Sequence, residues 1–170
     1  MKRLAVLCGL ACVLYAQQFK FNLEHLAGKA GEKVELDLNQ SVLQFAAAAF
    51  SGKDADAAKV KKVLSGLEGI YLRHFEFKRD GEYSKADLDQ IRNQLKAPEW
   101  QRIVGVTSSS DRENVEVWLR TENGKVSGAA VIAADPRSLM VANIVGAIDL
   151  ATLMELGGQF GLPKLEPRKR

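Results

Sequence analysis

The chain has 170 residues, 46% of them hydrophobic and 26% charged, with a formal charge of +3 and a sequence pI near 8.9. Lys2 and Arg3 and the terminal Lys164-Leu-Glu-Pro-Arg-Lys-Arg170 supply that excess, and residues 17–163 between them carry a small net negative charge. A basic footprint for nucleic acid is therefore absent, and the two cysteines, Cys8 and Cys12, exclude a disulfide framework for the body of the chain.

The N-terminus MKRLAVLCGLACVLYAQQ has a positive start, then an apolar run from Leu4 to Leu14. That pattern reads as a secretory signal peptide over residues 1–16, cleaved after Ala16. The run is shorter than the roughly 20 apolar residues of a membrane-spanning helix. Cleavage after Ala11 instead would leave Cys12 first, resembling a lipoprotein box with Gly9 where leucine is normal. Contact with a membrane is expected only through such a lipid anchor at Cys12. The expected location is the periplasm or the outer envelope. Residues 17–163 hold no repeat, linker or compositional break and read as a single domain. Residues 164–170 read as a basic disordered tail.

Asn22 before Leu23, Leu26, Ala27 and Ala30 predicts a short capped helix. Val34, Leu36 and Leu38 alternate with acidic residues and predict a half-buried strand. Val42 to Phe50 predicts a helix with Leu43, Ala47 and Phe50 on one face. Asp54 can cap a second helix with the stripe Val60, Val63, Leu64 and Leu67. Ile70 to Phe77 reads as a strand. Ser84 caps a helix bearing Leu88, Ile91 and Leu95 and stopped by Pro98. Four further strands follow at 102–107, 114–121, 125–134 and 139–145. Asn123-Gly124 predicts a type I′ hairpin turn and Asp135-Pro136 another turn. Asp149 can cap a last helix from Leu150 to Leu156. The predicted class is α+β: an antiparallel meander of about five strands with helices packed on one face. Val115, Val117 and Leu119 read as the apolar face of their strand, and Glu116, Trp118 and Arg120 as the other. The next strand is apolar on both faces through Ala129, Ala130, Ala133 and Ala134, so its second face is expected to meet a helix or a partner.

The phrases GIYLRHFEF, WQRIVGV, ENVEVWLRTENGKVSG, NIVGAIDL and GGQFG occur in this order. Together they resemble a bacterial exported-protein family catalogued as domain of unknown function 4252, over roughly Phe19 to Leu165. The resemblance implies export, an α+β domain and no assigned activity or catalytic residues.

Three stretches invite a chemical reading. FEFKRDGEYSKADLDQI aligns Asp80, Gly81, Glu82, Ser84 and Asp87 with positions 5, 6, 7, 9 and 12 of a calcium loop counted from Glu76. Lys78 then occupies a ligand position, and a strand pattern precedes the loop where a helix should. A turn followed by a Ser84–Asp87 capping box accounts for the same residues. His74 has no HExxH or cysteine context, and no G-x-S-x-G elbow exposes a serine. The glycines of Gly157-Gly158-Gln159-Phe160-Gly161 follow a helix and lack phosphate-loop spacing. No cofactor, metal ligand or catalytic residue is assigned. The expectation is a non-enzymatic exported domain binding a protein or envelope component, with Tyr71, Arg73, His74, Trp118 and Arg120 as candidate surface or pocket residues. Two alternatives are a ligand-binding or hydrolytic pocket near His74 and an accessory role in envelope-stress signalling.

Overall fold

The computed structural model describes residues 22–49, 55–96, 98–110 and 112–149. The predicted leader with Cys8 and Cys12, the predicted Asp54 cap, the final predicted helix and the predicted basic tail lie outside them.

The elements run α1 (Glu24–Ala27), β1 (Ala30–Asn39), α2 (Gln40–Ala49), α3 (Ala55–Gly66), β2 (Leu67–Phe77), α4 (Lys85–Arg92), β3 (Trp100–Ser108), β4 (Glu113–Glu122), β5 (Lys125–Asp135) and β6 (Ser138–Gly146). All strands join one antiparallel sheet in the order β1-β2-β6-β5-β4-β3. The class is α+β, with six strands where the sequence predicted about five. Strands adjacent in sequence pair at β1–β2 and from β3 to β6, and the two sets join where β2 pairs with β6, the last described strand.

Local chemistry sets most boundaries. The N-cap of α1 is Leu23, without a side-chain cap, and not the predicted Asn22; the helix ends at Ala27 with Gly28 at its C-cap, and Ala30, predicted to lie on it, starts β1. The Asn39 side chain accepts the Val42 N–H at 3.1 Å, which turns the end of β1 into α2. Ser84 and Asp87 form the predicted capping box on α4. Asn123 and Gly124 have φ of 51° and 74°, as the type I′ turn requires. Asp135 Oδ1 accepts the Arg137 N–H at 2.8 Å and closes the β5–β6 turn.

Direct partners in an antiparallel sheet share a face, so the registers define rows crossing all six strands. On the inner face one row runs Asp37, Tyr71, Asn143, Ala130, Trp118, Arg102. The next runs Glu35, Arg73, Val141, Ile132, Glu116, Gly105. Phe75, Leu139, Val141 and Ile132 cluster there with Leu23 and Leu26 from the α1 end and Ile91 and Leu95 from α4 and its exit. A second cluster joins Leu43 of α2 and Val63 and Leu64 of α3 to Leu38, Ile70, Ile144, Ala129 and Leu119. Those strand residues form one row of the outer face, so the helices divide between both faces instead of covering one. Fully burying each large aliphatic or aromatic side chain contributes about 1.5–3 kcal/mol.

Candidate functional site

The inner face holds the most elaborate polar cluster. Glu116 is 1% exposed and accepts hydrogen bonds from Arg92 Nε at 2.9 Å and from Arg92 Nη2. It also accepts from Asn114 Nδ2 at 3.2 Å and Trp118 Nε1 at 3.1 Å. Burial pushes the Glu116 carboxyl up, but the Arg92 guanidinium and the other donors outweigh it and hold the group below its ordinary value. It is an anchor, ionised at neutral pH, that ties α4 to β4. No motif points to it: Glu116 alternates with valines, so its strand face reads as solvent-facing although it is the buried one.

The sequence-predicted residues separate across the sheet. Tyr71, Arg73, Trp118 and Arg120 project from the inner face and His74 from the outer. Arg73 grips Asp37 with Nη1 to Oδ1 at 2.6 Å and Nη2 to Oδ2 at 3.0 Å, and its Nε stands 3.4 Å from Glu35. The Arg73 fork holds the Asp37 carboxyl below its usual range. Trp118 is three strands away from Tyr71 in the same row and carries the Arg102 guanidinium 5.8 Å from its ring centroid. Arg120 pairs with Glu122 at 2.5 Å beside an open cleft that Glu68, Lys125 and Ser127 also line. Among the described residues, Asn143, 1% exposed, has no hydrogen-bond partner for either amide atom. Nothing in the structure explains it.

His74 Nε2 lies 3.1 Å from Ser138 Oγ and 4.0 Å from the Glu76 carboxylate, in a row of aliphatic side chains. The calcium-like stretch is a turn and a cap. Asp80 takes Arg112 at 2.8 Å and Arg137 at 2.9 Å, Glu82 pairs with Arg79, and Asp87 serves Ser84 and His25. Among the described residues, no group of three or more His, Cys, Asp or Glu is placed to hold a metal ion.

A family model described as a domain of unknown function (DUF4252) matches residues 29–156. The chain belongs to this family. The match spans all six described strands of this DUF4252 domain and leaves α1 outside it. No curated protein and no solved structure matches the chain. No described helix is long and apolar enough to cross a membrane.

The outer face of the DUF4252 sheet is the candidate site. Beyond the row under α2 and α3 lie two more rows. One is Leu36, Leu72, Ala142, Val131, Val117, Val104, and the other is Val34, His74, Met140, Ala133, Val115, Val106. None of these twelve residues belongs to either helix-bearing cluster. Leu36 is 40% exposed, Val34 43% and Val106 55% at the two sheet edges, with the strands between them half-buried. The signal was partly present in the sequence: β5 is apolar on both faces, which requires either two covering layers or a partner.

Proposed function

We propose that the protein is an exported, non-enzymatic domain of the cell envelope that binds a protein partner on the outer face of its sheet. One observation carries the reading: two rows of side chains, apolar at every position but His74, cross all six strands and lie outside both helix-bearing clusters. Contiguous apolar patches of several hundred Å² on a monomer mark interaction sites. The N-terminal pattern of Lys2, Arg3 and the Leu4–Leu14 run supports export, and with it a partner in the periplasm or at the outer envelope.

The test places a photo-crosslinking residue at Val117 in the producing cell and, as control, at the exposed Glu99 off the sheet. Discrete adducts in the envelope fraction from Val117 alone are the expected outcome. Identical adduct patterns from both positions, or a protein confined to the cytoplasm, would overturn the reading.

A further inference from the structure

The exposed face has a size, a chemistry and a charged margin. Six strands about 4.8 Å apart make it roughly 24 Å wide, and two rows make it about 14 Å deep, or about 340 Å² in projection. A stable pair of identical subunits buries about 800 Å² on each partner, so this face alone is too small to hold a second copy. It matches one α-helix, which is about 10 Å thick and covers 24 Å in roughly 16 residues.

The charge around the face is one-sided. Neither apolar row contains Lys, Arg, Asp or Glu, and its only polar side chain, His74, is next to Ser138. The strand row that borders it away from α2 and α3 runs Glu32, Glu76, Ser138, Asp135, continued by the Glu113–Ser108 pair. That row has four carboxylates and no cation. Of the cations beside it, Arg112 and Arg137 are turned onto Asp80, and the Lys78 stem lies against Gly31 at the β1 end of the row.

We infer that the partner segment is a single amphipathic helix of another protein, with an aliphatic stripe and Lys or Arg along one flank, laid across the six strands with that flank on the acidic row. This deepens the binding reading above and rests on it. The acidic margin repels an anionic lipid surface and selects against helices with acidic flanks, which gives orientation as well as partner choice.

Two synthetic 16-residue helical peptides test it, sharing one leucine stripe and carrying either Lys or Glu along the flank. Binding to the mature protein is followed by fluorescence anisotropy. The expected result is at least tenfold tighter binding of the Lys peptide at low salt, narrowing as salt rises. Leu36→Lys with Val106→Lys should weaken both peptides, and Glu32→Lys with Glu76→Lys should weaken the Lys peptide alone. Equal affinity for the two peptides overturns the basic helix and leaves the binding face standing. Failure of both peptides to bind, with unchanged binding of an apolar dye in Leu36→Lys, overturns the face itself. A concentration-dependent dimer in sedimentation that the Leu36→Lys and Val106→Lys pair abolishes, or peptide binding that emerges only when the chain is ended at Asp149, assigns the face to another occupant and overturns the inference.

Discussion

Glu116 gathers Arg92, Asn114 and Trp118 around a carboxylate closed to water, so its loss costs more than one ordinary hydrogen bond. Glu116→Gln keeps the shape and leaves the Arg92 charge without its main counter-ion. We expect it to destabilise the fold by about 2–4 kcal/mol in urea denaturation. The pH dependence has a definite sign. The folded carboxyl is held below the ordinary 4.5, so the unfolded chain takes up this proton first. The Glu116 contribution is whole above about pH 4.5, falls as pH drops through the depressed folded value, and is gone below it. Stability curves of Glu116→Gln should lack that part of the acid slope, and an unchanged slope would remove Glu116 from the account. The network was illegible beforehand because alternation reports which residues share a face but not which face the helices cover. Val115 and Val117 look like core residues, and Glu116 looks like surface.

Turns and caps were the most legible elements, because each depends on two or three adjacent residues. Ser84 with Asp87 and Asn123 with Gly124 formed as their chemistry dictates. Contacts between distant segments left no such trace. Gly146, at φ 123°, closes β6 against the corner where α3 becomes β2. A Cβ there would stand 2.6 Å from Gly66 O and 2.7 Å from Glu68 N, both backbone atoms that cannot rotate aside. Ala147 N–H donates to that same Gly66 carbonyl at 2.9 Å. Gly146→Ala should therefore cost more than about 2 kcal/mol, against about 1 kcal/mol for loss of the cap in Ser84→Ala. Thermal unfolding of the two variants side by side checks the order. Leu67 shows the same limit: it completes the helical stripe of α3 on paper, but in the fold it begins β2.

At the scale of the molecule, the two edge strands of the described sheet, β1 and β3, are guarded unequally. β1 carries Glu32, Lys33, Glu35 and Asp37, charges that discourage pairing with another chain. β3 carries only Arg102, and its Ile103 and Val106 are 50% and 55% exposed. The bulge at Ile103 is its one structural defence. Ile103→Lys should slow aggregation of concentrated protein, followed by light scattering, while changing stability by less than about 1 kcal/mol. The general class was readable from the run of strands, but the strand order was not, since pairing of β2 with β6 depends on which edges remain free after the hairpins form. That pairing also dictates a timetable. Ribosomal synthesis delivers β2 early and β6 last, so Ile70 must wait for Ile144 through the making of α4 and three other strands. Until then β2 has an open side, and the interval before β6 arrives is when a nascent chain of this topology most needs a chaperone.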